Sequence, residues 1–284
     1  MAGLPSSGKS TFVNAMLGFK LSIVSPKPQT TREHIKAIIN GKNYQAILID
    51  TPGMLDAQNL LEKKMAFEIR RAASQDADVF CLLAEPSLER LQVKKAFFEN
   101  LRISGKALLL ITKSDLYPQE SCRKSAEFIN SMLKFEKTIF ISAKTGENLS
   151  TARKEIISLL PFSAPYYPAG ETTDRWERFF VAELIRETIF ENYKDEVPYS
   201  CAVEIEHFNE TSSPAEIFAN IHVSRETHKP IVIGEKGKAI KRLREISAKK
   251  IYMLLGRQTN LFLTVKVTRD WQNNSDFLKK FYEH

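Results

Sequence analysis

The chain has 284 residues, enough for about two domains and an ample core. Its three cysteines, Cys81, Cys122 and Cys201, are odd in number and far apart, which excludes a disulfide framework or zinc site and fits a reducing cytoplasm. The net charge of +7 is modest, no basic region with an apolar core opens the chain, and no apolar run approaches the roughly 18 residues of a membrane span.

In chain order, the first element is Gly3-Leu4-Pro5-Ser6-Ser7-Gly8-Lys9-Ser10, a GxxxxGK[ST] phosphate-binding loop. Its glycines let backbone NH groups curl around phosphates, its lysine reaches the outer phosphates and its hydroxyl ligates Mg²⁺. Apolar residues at helical spacing follow from Thr11 to Leu17, so a helix N-terminus points at the loop. Such a loop should follow a buried strand, yet only Met1 and Ala2 precede Gly3, so the anchoring strand is expected to be missing.

Tyr44–Ile49 reads as a short strand ending in Asp50-Thr51-Pro52-Gly53, where Asp50 would hold Mg²⁺ through water and the Gly53 NH would meet a γ-phosphate. Ala107–Ile111 is a buried strand run that delivers Thr112-Lys113-Ser114-Asp115 at its C-terminal end, the edge where open α/β sheets bind ligands. The Asp115 carboxylate can accept from N1 and N2 of guanine, a pair adenine lacks. Thr138–Ile141 is a third run, and the following Ser142-Ala143-Lys144 could offer a backbone NH to guanine O6. Together these favour GTP over ATP. Two other readings stand beside it: an ATP-dependent kinase or ATPase, and an RNA-binding assembly factor whose nucleotide domain is inactive.

The second half of the chain is polarised. Residues 166–224 carry 4 basic and 12 acidic residues, whereas 225–269 carry 12 basic and 3 acidic. Within the basic part, Lys229–Ile233 leads into Gly234-Glu235-Lys236-Gly237, with Lys238, Lys241, Arg242 and Arg244 on a helix running toward Leu255. A GXXG loop between two helices is the single-strand clamp of a K homology domain. Strand patterns at Cys201–Phe208, Ile217–Val223 and Leu261–Val267 flank it in the order of the prokaryotic variant. The acidic stretch is expected to repel phosphates and confine a strand to the groove beside Lys236, Lys238 and Arg242.

These motifs, with Pro5, Pro28-Gln29-Thr30-Thr31-Arg32 and the GXXG half, resemble the Era family of ribosome-assembly GTPases over nearly the whole chain. The resemblance implies an α/β P-loop GTPase domain at 1–163, doubly wound around a mostly parallel sheet. A linker at 164–173 and an α+β type II K homology domain at 174–284 complete it. Pro161–Gly170 is the connector, Thr173-Asp174 the cap and Arg175–Tyr193 an amphipathic helix.

It further implies a cytoplasmic, monomeric GTP hydrolase using GTP/GDP and Mg²⁺, peripheral to the inner face of the membrane. Its RNA partner would be single-stranded sequence near the 3′ end of small-subunit ribosomal RNA in the pre-ribosomal small subunit. There it would act as a nucleotide-controlled assembly checkpoint.

Nucleotide is assigned to Gly3, Ser7, Gly8, Lys9, Ser10, Thr11, Asp50, Thr51, Gly53, Thr112, Lys113, Asp115, Ser142, Ala143 and Lys144. Lys9, Thr31 and Gly53 would act in hydrolysis, and Ser10, Thr31 and Asp50 would hold the metal, with Thr30 the rival of Thr31. RNA is assigned to Ile233, Gly234, Glu235, Lys236, Gly237, Lys238, Lys241 and Arg242. Three departures stand out. Ser6 replaces an asparagine that helps place potassium, Thr112 replaces an asparagine and predicts looser guanine binding, and Met54 cannot orient a water, which predicts slow intrinsic hydrolysis.

Overall fold

Unbroken apolar runs belong to strands covered on both faces, and one of them, at 107–111, becomes the centre of a parallel sheet. The structure, a computed structural model, describes residues 1–24, 27, 30–53, 57–74, 77–209 and 211–282, excepting side chains at 68–74 and 282. The expectation for Met54 and those for Pro28 and Gln29 lie outside the described residues. Two compact units emerge, Met1–Ala57 with Glu62–Asp174, and Gln58–Leu61 with Arg175–His284.

The first unit runs α1 (Lys9–Leu17), β1 (Ile35–Gly41), β2 (Tyr44–Asp50), α2 (Leu60–Ser74), β3 (Val79–Ala84), α3 (Leu88–Val93), α4 (Lys95–Asn100), β4 (Lys106–Ile111), α5 (Gln119–Asn130), β5 (Lys137–Phe140) and α6 (Leu149–Leu159). β3, β4 and β5 pair in parallel with β4 central, and β1 and β2 form an antiparallel pair. Leu82, Leu109 and Ile111 sit in a core shared with Phe98, Cys122 and Ile129. All three cysteines are free and buried.

The expected loss of the anchoring strand is only partly realised. Ala2 takes a strand position beside β3, donating to the Cys81 carbonyl at 2.9 Å and accepting from the Leu83 NH at 2.8 Å. Met1 donates from its ammonium to the Ile49 carbonyl of β2 at 2.9 Å. Two residues therefore tie the phosphate loop to both neighbouring strands.

Residues 166–174 lie along the free edge of β1. Thr173 bridges Ala37, the Ile38 NH donates to the Thr172 carbonyl at 2.9 Å, and Gln45 brackets Tyr166 and Tyr167 through its side-chain amide. Asp174 pairs with Lys36 at 2.9 Å. This overturns the expected Thr173-Asp174 cap. Helix α7 (Glu177–Asn192) starts later, with Trp176 at its cap and no side-chain capping bond. The pairing with β1 captures the residues that local pattern assigned to capping. Nor is α7 one-sided, because Val181, Ile185, Arg186, Glu187, Thr188, Ile189 and Phe190 are all buried.

The second unit continues with α8 (Val197–Ser200), β6 (Cys201–Asn209), β7 (Ala215–Val223), α9 (His228–Ile233), α10 (Lys238–Leu255), β8 (Thr259–Val267) and α11 (Ser275–Tyr282). β7 is central, antiparallel to β6 and parallel to β8. Ile217, Ile221, Leu261 and Val265 face Val181, Ile185, Leu243 and Ile251 in one core. Successive strand residues point to opposite faces, so His222 leaves that core and meets Phe277 and Phe281 of α11, with ring centroids at 5.1 and 5.5 Å.

Glu204 fastens this outer layer. It accepts from Lys280 at 2.9 Å and Asn220 at 3.2 Å, and lies 3.0 Å from His222 Nε2. Burial pushes the Glu204 carboxyl up, but these hydrogen bonds outweigh it and hold it near about 2, from an ordinary value of 4.5. Burial lowers the His222 imidazole from 6.5. Both groups bind fewer protons folded than unfolded, so both lend stability at neutral pH that is lost on acidification. Unfolding free energy should fall below about pH 6.5. Glu204→Gln should be less stable at pH 7 by roughly 1 kcal/mol, a figure reduced for solvent screening of Lys280, and should lose less on going from pH 4.5 to 2. Denaturant titrations across pH check this, and parallel curves for the two proteins would count against it.

Candidate nucleotide and nucleic-acid sites

The phosphate loop gets its shape from close approach. A Cβ on Gly3 would lie 2.1 Å from the Leu83 carbonyl oxygen and 2.7 Å from Ser7 Oγ, so only glycine lets the chain leave β3 there. Gly8 takes a left-handed conformation and heads α1, whose Phe12 NH closes back on the Gly8 carbonyl at 2.8 Å. The NH groups of the first helical turn thus remain available to an anion.

A cavity of about 310 Å³ opens over this loop, and Gly8, Lys9, Ser10, Thr11, Thr31, Gly53 and Lys113 line it. Gly53 approaches Pro5 so closely that a Cβ on it would lie 2.9 Å from the Pro5 Cα. Ser10 Oγ and Thr31 Oγ1 are 3.0 Å apart, whereas Thr30 turns its hydroxyl to the Lys27 carbonyl at 2.8 Å. Of the two threonines, Thr31 is the one that meets the loop serine.

Behind the cavity lie Gly3, Ser7, Asp50, Thr51 and Thr112, all buried. Thr51 does not face the nucleotide space, because its hydroxyl donates to the Met1 carbonyl at 2.6 Å. Thr112 Oγ1 lies 2.8 Å from the Ser7 carbonyl and 3.2 Å from the Ala84 carbonyl, and so joins the loop that should read the base to the loop that should hold phosphate. On the base side, the Ser114 NH donates to the Ile141 carbonyl at 3.2 Å and Ser114 Oγ to Glu147 at 2.8 Å. Asp115 is exposed beside that junction, as is Lys144, with Ser142 buried and Ala143 half-buried.

Lys9 is buried, and its ammonium donates to the carbonyls of Gly3 and Leu4, both at 3.1 Å. Burial lowers it to about 8 against the raising influence of Asp50. Asp50 is wholly buried, and the same loss of solvent raises its carboxyl. The hydroxyls of Ser10 and Ser22 act on it, yet neither carboxylate oxygen reaches a hydrogen bond of full geometry. An under-satisfied buried carboxylate next to two hydroxyls is the hard oxygen donor set that suits Mg²⁺.

In the second unit, Gly234, Lys236 and Gly237 all have positive φ, at 72°, 50° and 75°. A Cβ on Gly234 would lie 2.5 Å from the Ala239 Cβ, so this glycine seats the loop on α10. Lys236, Lys238, Lys241 and Arg242 are exposed, and among the described residues none of them is in an ion pair. Glu235 is exposed beside them, and Ile233 and Gly237 are half-buried.

The acidic stretch before the clamp has another use than the one expected. Glu187 and Glu191 take Lys250, Glu177 takes Arg257, Glu183 takes Arg186 and Glu206 takes Lys266, at 2.5 to 3.2 Å. Lys250, Arg257 and Lys266 of the basic stretch thus draw four of these acids into ion pairs, while the Glu183–Arg186 pair lies within the acidic stretch itself.

A family model described as "50S ribosome-binding GTPase" matches residues 1–114, and a KH domain model matches 196–272. GTPase Era of Elusimicrobium minutum is 44% identical over 99% of this chain and 94% of its own length. The chain belongs to the Era GTPase family. GTPase Era of Carboxydothermus hydrogenoformans is 35% identical over 99% of this chain and 95% of its own. A tyrosine-to-alanine variant of Aquifex aeolicus Era, bound to GDP and aluminium fluoride, superposes with a TM-score of 0.89 at 30% identity, covering 99% and 96% of the two chains. An Era complex with MgGDPNP and nucleotides 1506–1542 of 16S ribosomal RNA gives 0.92 at 30% identity with the same coverage.

Membership of the Era family sets aside the ATP-dependent reading and gives this chain GTP hydrolysis as its activity. Motif reading did not single out Glu85, which pairs with Lys113, or Arg90 and Tyr117, which bond Glu85; the only signal was an acid directly after an apolar run. For the loop itself, Gly3→Ala must force the chain off Leu83. It should cost about 2–4 kcal/mol of stability and remove guanine-nucleotide binding, read by chemical denaturation and a fluorescent GDP titration.

Proposed function

We propose that this chain hydrolyses GTP while binding single-stranded RNA near the 3′ end of small-subunit ribosomal RNA, as a nucleotide-controlled checkpoint in small-subunit assembly. The observation that carries the reading is the pairing of a P-loop cavity containing Lys9, Ser10 and Thr31 with a clamp whose cations Lys236, Lys238, Lys241 and Arg242 are left unpaired. The RNA bound by the 16S complex supports the choice of ribosomal RNA.

In this reading the domains are 1–163 and 174–284, with 164–173 between them. Lys9 leaves the Gly3 and Leu4 carbonyls for the phosphates. Ser10, Thr31 and Asp50 would hold Mg²⁺, which would supply neutralisation of phosphate charge. The Gly53 NH faces the outermost phosphate, and Asp115 reads guanine while Ser142–Lys144 close over its O6 side. No side chain is placed as a general base, so catalysis rests on positioning and charge. The protein works as a monomer in the cytoplasm. Any contact with the inner face of the membrane is peripheral, since no helix among the described residues is long and apolar enough to cross.

Three outcomes test this. Asp115→Asn replaces an acceptor pair by one acceptor and one donor, which suits xanthine; GDP affinity should fall by at least about 100-fold while XDP affinity rises, measured by competition. Undiminished GDP binding would refute the base assignment. Replacing Lys236, Lys241 and Arg242 by alanine should weaken RNA binding and reduce the slope of log K against log salt by about 2, with GTP turnover unchanged. RNA affinity should also differ between GDP and a GTP analogue, and equal affinity would remove the nucleotide control.

A further inference from the structure

Glu85 follows β3 directly, at the sheet edge that also presents Thr112 and Lys113. Its carboxylate gathers three partners from two segments, α3 and the loop between β4 and α5. Oε1 accepts from the Lys113 ammonium at 3.0 Å and the Tyr117 hydroxyl at 2.5 Å, and Oε2 accepts from Arg90 Nη1 at 2.7 Å. Arg90 gives its other terminal nitrogen to the carbonyl of Pro5 at 3.1 Å, in the middle of the phosphate loop.

The Glu85 side chain is only 13% exposed. Burial works to raise its carboxyl, but the hydrogen bonds from Tyr117 and Lys113 outweigh that and hold it below its ordinary value. Lys113 meanwhile has a left-handed backbone, with φ of 56°, a conformation that persists only where surrounding contacts impose it.

We propose that Glu85 is a positioning residue for nucleotide retention: it fixes Lys113 on the cavity wall and, through Arg90, couples the base-reading loop to the phosphate loop. A surface ion pair of two long side chains would be dispensable. Here the acceptor is a short, mostly buried glutamate at a strand end, so it is the fixed point and the cations are what it places. Thr112 makes a parallel connection from the same strand ends to Ser7. Base and phosphate loops thus share two cross-ties, one through a hydroxyl and one through a charge, and release of nucleotide must loosen both. The inference rests on the guanine-nucleotide reading of the cavity.

The test is the dissociation rate of a fluorescent GDP analogue from the full chain with Mg²⁺, for wild type, Glu85→Gln, Lys113→Met and the double variant. Glu85→Gln should speed release about tenfold and raise KM for GTP with kcat within about twofold. In the Lys113→Met background its effect should shrink to the roughly threefold carried by the Arg90 arm, because the rest acts through Lys113. A merely structural role would lower the unfolding midpoint and persist undiminished in the Lys113→Met background, which would overturn the inference, as would release within twofold of wild type. Should Glu85→Gln not fold, Arg90→Ala removes only the half-exposed arm. It should speed release about threefold, and an unchanged rate there would equally overturn the proposal. No nucleotide binding by wild type would instead overturn the reading of the cavity itself.

Discussion

Two opposite charges are buried in the first unit without forming an ion pair with each other, and its architecture follows from that constraint. Taking an ammonium or a carboxylate out of water costs several kcal/mol even after relaxation. Lys9 recovers part of this from two loop carbonyls, while Asp50 is left short of partners. Such an arrangement survives only if the surrounding structure is stiff and if a ligand completes the site. Stiffness comes from Gly3 packed on Leu83, from Ala2 bonded into β3, and from Thr112 holding Ser7. In the proposed reading, phosphate beside Lys9 and a hard cation beside Asp50 would complete the site.

The second unit handles charge in the opposite way. Its excess acid and excess base lie in consecutive stretches of sequence, and folding brings them together. Lys250, Arg257 and Lys266 are each neutralised by a glutamate of α7 or β6. The cations of the GXXG loop and the first turns of α10 are not. Pairing therefore sorts the basic residues into those that hold the fold and those free to meet a phosphate backbone, and it concentrates the second group at the loop where Gly234 and Gly237 permit close approach.

Much of this was legible in the sequence where function and local structure coincide. The phosphate loop, the Asp50 turn, the strand ends before Thr112 and Ser142 and the GXXG loop are each common motifs taken singly, and it is their order along the chain that narrows the reading. Less legible were features decided by distant partners. The Thr173-Asp174 pair looks like a helix cap until β1 offers it a strand edge and Lys36 a charge. The acidic stretch reads as a free surface until its cations, dozens of residues away, fold against it. Glu85 has no motif of its own, and its meaning comes from three residues that only tertiary structure gathers around its carboxylate.

The strand edge at β1 gives the proposed nucleotide control a physical route. Thr31 lies at the cavity beside Ser10, and four residues later the chain becomes β1. Its neighbours on the free edge are Thr172 and Thr173, which are followed within five residues by the first turn of α7. A backbone ladder cannot stretch by more than a fraction of an ångström without losing its hydrogen bonds. A shift of Thr31 that carried β1 with it would either move the 166–174 segment or break its bonds to β1, altering the chain where the second unit begins. Coupling of this kind needs two discrete arrangements of one element, and the structure holds one of them, with residues 166–174 paired to β1.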